Sequence, residues 1–141
     1  MTLGQFWLSV RATFIAVTKP VSKQRSIAFR DSLAYDHIGL PAGNALQDQM
    51  EDHAARAGRR LRLRVRLPGF EAVCHVVGRG IGVAVVPATT ARRYQRSAAL
   101  RIIPLIDTWA PRRLTICVRS LAALPAHGQK LVEHLRAQAQ A

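Results

Sequence analysis

The sequence predicts a single α/β domain with a largely parallel sheet. Two observations indicate this class. Strand-like and helix-like patterns alternate along the 141 residues, as they do in βαβ units. Residues 70–87 then read as a short amphipathic helix, a glycine-containing joint and a fully apolar strand that ends at Pro87. With 49% apolar residues, a chain of this length can bury one core.

The first elements are a short strand and a short helix. Residues 14–17 are apolar and are followed by Lys19 and Pro20, which predicts a strand that ends there. After a polar loop, residues 27–33 predict a helix with Ser26 or an adjacent residue near its start, and residues 35–40 predict a second strand.

The helix that follows has the clearest boundaries in the chain. Asn44 is a favourable N-cap residue, and Gly58 is a favourable stop. Leu46, Met50 and Ala54 recur every four residues and predict one apolar stripe.

Within residues 59–67, arginine and apolar residues alternate strictly from Arg60 onward, which predicts a strand with Arg60, Arg62, Arg64 and Arg66 on one face. Two interpretations stay open for this face. It is either a solvated surface or a surface for an acidic partner or nucleic acid. The net charge of +13 does not decide between them, because the basic residues are spread from Arg11 to Arg136 without a DNA-reading pattern.

The last third of the chain continues the alternation. We predict a helix over residues 88–94 capped by Thr89 or Thr90, a strand over 102–106, a loop over 107–113, a strand that begins with Leu114 and ends with Arg119, and a helix over 126–139 with Leu131, Val132 and Leu135 on one side.

Several classes of function are disfavoured. No apolar run approaches the roughly twenty residues of a membrane span, and the first positive charge, Arg11, comes too late for a signal peptide. The glycines of residues 78–82 follow a helix instead of opening one, so they do not predict a dinucleotide site. Cys74 and Cys117 lack metal-ligand spacing, the five histidines are scattered, and no nucleophile elbow occurs. We therefore expect no catalytic residue, no metal and no cofactor.

Three stretches resemble the effector-binding domain of LysR-type transcriptional regulators. They are residues 38–46, residues 70–87, and residues 100–119 together with Leu124, Pro125 and the final helix. The resemblance runs from about residue 14 to residue 136.

This resemblance implies a type 2 periplasmic-binding-protein-like fold. It assigns residues 19–106 to a complete second lobe and residues 107–141 to a crossover and a strand and helix that return to the first lobe. Residues 1–13 are left unassigned, within a partial domain of residues 14–141. Because no winged helix-turn-helix and no first-lobe body precede Phe14, we expect a cytoplasmic fragment that does not bind operator DNA by itself.

The resemblance also implies the ligand and its site: a small effector, anionic or aromatic, held between lobes. The candidate ligand-binding residues are Pro41, Ala42, Gly43, Asn44, Pro68, Gly69, Phe70 and Gly82. Each has a purely structural alternative: Asn44 as a helix cap, Phe70 as core, Gly82 as a close-packing position. Since the first-lobe contacts are missing, we expect weak effector binding or none.

The returning strand and helix predict self-association. The strand of residues 114–119 and the side chains of Leu131, Val132 and Leu135 would lose their usual neighbours, which leaves an unpaired edge and an apolar face. Two alternative functions remain at this stage: a solute-binding protein of the same fold, and a basic nucleic-acid-binding fragment.

Overall fold

The computed structural model describes residues 4–16 and 24–139. Its elements in chain order are β1 (Gly4–Ala16), α1 (Phe29–Ser32), β2 (His37–Gly39), α2 (Ala45–Arg56), β3 (Leu63–Arg66), α3 (Phe70–Gly78), β4 (Ala84–Pro87), α4 (Ala88–Tyr94), β5 (Arg101–Pro104), β6 (Pro111–Val118) and α5 (Ala126–Ala139). They form two compact units, one of Arg11–Ala110 and one of Met1–Val10 with Pro111–Ala141. We call them the larger and the smaller unit.

The sheet of the larger unit is built around β1. β4 and β5 pair with β1 on either side, both antiparallel to it. β2 joins β4 through a parallel bridge between His37 and Val83, and β3 pairs parallel with β2. Strands β2, β3, β4 and β5 therefore run in one direction, as a largely parallel sheet requires, and β1 runs against them.

Both faces of this sheet are covered. Val83 and Val85 belong to one buried cluster, which α1 and α2 complete, whereas Ala84 and Val86 belong to a second cluster with α3 and α4. This arrangement explains why the strand sequence is apolar at every position: a strand buried on both faces cannot alternate with polar residues.

The predicted boundaries of α2 are confirmed. Asn44 caps its first turn, and Gly58 follows its last turn with a φ of +68°, the left-handed conformation that favours glycine. Leu46, Met50 and Ala54 are all buried. The bounds of α5 also agree with the prediction.

Several predicted boundaries are wrong. β1 spans 13 residues instead of four, since pairing with β4, β5 and β6 supports it and its polar Gln5 and Ser9 hide it in the sequence. Val17 lies outside the described residues. β6 begins at Pro111, because proline is tolerated as the first residue of a strand.

The helix starts differ as well. Ile27 bridges Leu105 as extended chain, so α1 is shorter than predicted. α4 begins at Ala88 after an N-cap Pro87, which places Thr89 and Thr90 inside the helix and not at its cap. β3 is limited to four residues, of which Leu63, Val65 and Arg66 pair with β2.

Candidate functional site

Two loops of the larger unit begin at the same end of its sheet, where β2 and β3 finish. Because β2 and β3 are parallel, with Gly39 opposite Arg66, both chains leave the sheet at the same end. The Leu67 N–H donates to the carbonyl of Gly39 at 2.8 Å and holds the two exits together. The structure therefore brings together seven of the eight predicted site residues: Pro41, Ala42, Gly43, Asn44, Pro68, Gly69 and Phe70.

Gly82 is not among them. It precedes β4, and the Val83 N–H donates to the carbonyl of Asp36 at 2.9 Å, so Gly82 lies beside the beginning of β2, at the opposite edge of the sheet. A Cβ at position 82 would lie 2.7 Å from that carbonyl oxygen. Close strand packing is a physical reason for glycine at this position, and the site that we propose below is built without Gly82.

Asn44 closes the amino end of α2 with its side-chain oxygen. Asn44 Oδ1 accepts hydrogen bonds from the backbone N–H groups of Leu46 at 3.0 Å and Gln47 at 3.2 Å. The two donors fix the orientation of the amide, which leaves Nδ2 without a hydrogen-bond partner in the described part of the chain. Capping and ligand donation are therefore compatible, since they use different atoms.

The amino end of α3 has no such cap. Its N-cap residue, Gly69, is extended at a φ of −156° and has no side chain to accept a hydrogen bond. The N–H groups of Phe70, Glu71 and Ala72 belong to the first turn, where no helical acceptor exists. Such an end binds anions because free donors and the helix dipole both favour negative charge.

Phe70 has a structural role and a possible contact role. It is half-buried and packs against both clusters, which occupy opposite faces of the sheet. A side chain that contacts both must lie across the end of the strands. Phe70 therefore closes the core at this edge and keeps part of its ring exposed there.

Gln47 was not identified from the sequence, and its hydrogen bonds fix the position of the loop between β2 and α2. It is completely buried, and its Oε1 accepts a hydrogen bond from the Leu40 N–H at 3.1 Å. Its Nε2 donates to Glu51 Oε1 at 2.9 Å, and this hydrogen bond is the largest cause that lowers the pKa of Glu51. A signal was present, because Gln47 precedes Met50 by three residues and Ala54 by seven, which places it on the buried stripe.

The predicted arginine face pairs with acidic side chains. Arg62 and Arg64 both contact Asp36, with Nε–O distances of 3.3 Å and 3.2 Å. Arg66 contacts Glu51 at 2.9 Å and donates to the carbonyl of Leu40 at 2.8 Å. Arg60 lies outside β3. These contacts tie β3 to its neighbours, so we interpret the face as structural.

The groups at this end of the sheet can donate hydrogen bonds to an anion. Among the described residues no group of His, Cys, Asp or Glu could hold a metal ion. Burial raises the pKa of the Cys74 thiol to about 11, which keeps it protonated and unreactive at neutral pH. The groups available for binding are hydrogen-bond donors, namely the first-turn N–H groups of α3 and the side-chain amide of Asn44. The exposed part of Phe70 lies at the same end of the sheet.

Comparison with known proteins identifies the chain. The family model described as the LysR substrate binding domain matches residues 8–140. The chain belongs to the LysR substrate-binding domain family. The predicted fold class, periplasmic-binding-protein-like α/β, is thereby confirmed, and neither the solute-binding protein nor the nucleic-acid-binding fragment is favoured.

Solved structures agree in fold at low sequence identity. The regulatory domain of CcmR from Synechocystis PCC6803 in complex with 2-PG has a TM-score of 0.81 and 18% identity, over 99% of this chain and 68% of that one. The regulatory domain of MetR from N. meningitidis gives 0.78 and 13%, over 97% and 63%. The effector-binding domain of QuiR in complex with shikimate gives 0.74 and 12%, over 98% and 66%.

The chain thus spans between about half and two thirds of the length of such structures, with the lowest share, 45%, for a probable transcriptional regulator from Pseudomonas aeruginosa. A search of curated proteins finds no match. Across the described ranges, no helix has the length and apolar content needed to cross a bilayer.

Proposed function

We propose that this chain is the effector-sensing part of a LysR-type transcriptional regulator and that its larger unit binds a small anionic molecule. The observation that supports this most directly is that the uncapped amino end of α3 and the capping residue Asn44 of α2 both follow strands that finish at the same end of the sheet. Two matched family structures are complexes with small molecules, shikimate in QuiR and 2-PG in CcmR.

The residues suggest how such an effector would be held. An anionic group would accept hydrogen bonds from the first-turn N–H groups of α3, and Asn44 Nδ2 would add a side-chain donor. The exposed part of Phe70 would contact an apolar or ring portion of the ligand. Pro41, Ala42, Gly43 and Pro68 would shape the loops on either side.

We expect weak binding, with a dissociation constant on the order of 1 mM, because a few exposed hydrogen bonds must offset the loss of ligand freedom. Two-dimensional NMR suits a chain of 15.5 kDa. Titration with shikimate, benzoate and inorganic phosphate should shift the backbone amide signals of Phe70, Glu71 and Ala72 and the side-chain amide of Asn44.

Benzylamine, a cation of similar size to benzoate, is the matched control and should leave those signals unchanged. If no anion shifts them at 20-fold the expected constant, or if the largest shifts lie around Gly82, the proposed site is wrong.

We also propose that the chain is not an enzyme, that it acts in the cytoplasm, and that operator recognition belongs to a separate winged helix-turn-helix domain of the regulator. The family consists of regulatory domains, and the site offers donors but no nucleophile or acid–base pair. A fusion of this chain to a LysR-type DNA-binding domain should bind the operator of that domain in preference to unrelated DNA. The chain alone should show no such preference.

Self-association through α5 is a second proposal. Leu131 and Leu135 lie one turn apart and are 58% and 40% exposed, whereas Val132 is buried at 6%. Of the three residues of the predicted apolar face, Leu131 and Leu135 can therefore contact a second copy, whereas Val132 cannot. We propose that the strand of Leu114 to Arg119, most of which lies in β6, takes part in the same contact.

Sedimentation velocity at micromolar concentration tests this proposal. Leu131→Glu/Leu135→Glu should shift the chain toward monomer, and Lys130→Glu/His134→Glu, which changes exposed positions on the same helix, should not. A monomeric wild-type chain without concentration dependence would overturn it.

A further inference from the structure

A second surface of the larger unit carries unbalanced positive charge. Between Glu71 and Asp107 the sequence has no acidic residue and five arginines, which are Arg79, Arg92, Arg93, Arg96 and Arg101. All five are exposed. No ion pair is formed by any of them within residues 24–139, in contrast with Arg64 and Arg66 of β3 and with Arg62, which directly precedes β3. We call these five residues the cationic rim.

Packing of α3 and α4 gathers the rim on one side of the unit. His75 and Tyr94 contact each other edge to face with ring centroids 5.7 Å apart, which joins the two helices. Gly78 is so close to the carbonyl of Ala98 that an added Cβ would clash with it. Arg79 follows Gly78 directly, and Arg96 precedes Ala98 by two residues, so the ends of both helices meet here.

The helical geometry of α4 directs its arginines outward. Ala88 and Ala91 are its buried residues. At about 100° per residue, Arg92 and Arg93 lie roughly 100° and 200° around the axis from Ala91. Arg96 follows in the turn after α4, and Arg101 begins β5 just beyond the buried Leu100.

The rim lies away from the proposed effector site. β4 and β5 run parallel to β2, so Arg79, which precedes β4, and Arg101, the first residue of β5, lie at the end of the sheet where these strands begin. The loops with Asn44 and Gly69 lie where β2 and β3 end. An occupant of the rim would therefore leave the effector site open.

We propose that the cationic rim binds the phosphate backbone of duplex DNA without reading its sequence. A protein partner would need an apolar centre, and the only large apolar side chain described as exposed next to the rim is Ile81, at 42%. Unpaired guanidinium groups suit phosphate, because they donate two hydrogen bonds to it and release its counterions. The proposed DNA contact uses none of the residues of the proposed effector site.

Charge reversal at the rim, compared with an equal reversal elsewhere, tests the proposal. The rim variant is Arg92→Glu/Arg93→Glu/Arg96→Glu. The control is Arg56→Glu/Arg59→Glu/Arg60→Glu, three exposed arginines at the end of α2 and just after it. Both variants have the same net charge. Circular dichroism and urea unfolding should show that both remain folded.

Binding to a fluorescent 30-base-pair duplex is measured by anisotropy from 50 to 200 mM salt. The rim variant should bind at least tenfold more weakly than the control, and its log–log salt slope should fall by about two to three units, near 0.9 per lost phosphate contact. An equal loss in both variants would mean that binding follows net charge alone. That result, no binding by the wild-type chain, or displacement of DNA by polyglutamate at equal charge would each overturn the proposal.

Discussion

Gln47 Oε1 accepts a hydrogen bond from the backbone N–H of Leu40, at 3.1 Å, in the core of the larger unit. This contact joins the end of β2 to the first turn of α2 and so positions the loop of Pro41, Ala42 and Gly43 between them. Gln47→Met keeps the side-chain length but leaves the Leu40 N–H buried without an acceptor. We expect a loss of about 1–3 kcal/mol in the free energy of unfolding.

The same variant removes the hydrogen-bond donor that is the largest cause lowering the pKa of Glu51, so the pKa of Glu51 should rise. Urea unfolding measures the first effect and carbon-detected NMR titration the second. Gln49→Met is the control on the same helix. A stable Gln47→Met with an unchanged Glu51 pKa would show that the buried amide does not organise this loop.

Gly69→Asp should replace the effector's anionic group with one from the chain. A carboxylate at the N-cap position accepts hydrogen bonds from the first turn, which stabilises α3 relative to the glycine cap by about a few tenths of a kcal/mol. An added Cβ meets nothing within 4 Å at this position. The variant should be more stable than wild type and should show no anion-dependent NMR shifts.

Gly69→Ala provides the matched control, because it adds the Cβ without the carboxylate and should keep the shifts. Loss of anion response in Gly69→Ala as well would argue that space, and not the free N–H groups, determines binding.

Gly82→Ala should destabilise the larger unit. Its Cβ would lie 2.7 Å from the carbonyl oxygen of Asp36, a backbone atom held by the Val83 N–H. We expect a cost of about 1–3 kcal/mol from overpacking. Gly69→Ala has open space for the added Cβ and should cost less, since it incurs only the weaker N-cap preference of alanine. Urea unfolding of the two variants side by side decides this, and equal stabilities would contradict the close strand packing described here.

His37 predicts a loss of stability in mild acid. Burial is the largest cause that lowers its pKa from 6.5 to about 4, against a raising effect of the Ser32 carbonyl and Asp36. As the pH falls, His37 therefore becomes protonated near pH 6.5 in the unfolded chain but only near pH 4 in the folded chain. This contribution is complete above pH 6.5 and is lost as the pH falls toward 4.

The expected loss between pH 7.5 and pH 4.5 is about 2–3 kcal/mol. The difference in unfolding free energy between these pH values should shrink by that amount in His37→Gln. The exposed His127, replaced by Gln, serves as control. An unchanged pH dependence in His37→Gln would assign the acid sensitivity to other groups.

Local signals predicted part of this structure well. Asn44, Gly58 and the stripe of Leu46, Met50 and Ala54 each have a local physical reason, and they define α2 correctly. β1 could not be read in the same way, because its length comes from pairing with strands far along the chain, which its own sequence does not encode.

The candidate site shows the same division. Loops that precede two helices were recognisable from Asn44, Pro68 and Gly69, and Gly82 was added by resemblance as the start of the following strand. In a parallel sheet the start of a strand lies opposite the loops that follow its neighbours, and the bridge of His37 with Val83 places Gly82 at that opposite end. The role of Gln47 could not be predicted, because the sequence does not show which hydrogen-bond partners a polar residue on a buried helix face has.

One consequence of the bare amino end of α3 concerns control of the regulator. Asn44 supplies an acceptor for the first turn of α2, whereas the first turn of α3 has no side-chain acceptor, which a bound anion would supply in the site that we propose. An acidic residue at position 69 would then supply this acceptor permanently, so the regulator would no longer respond to its effector, whereas glycine leaves the response to the effector concentration.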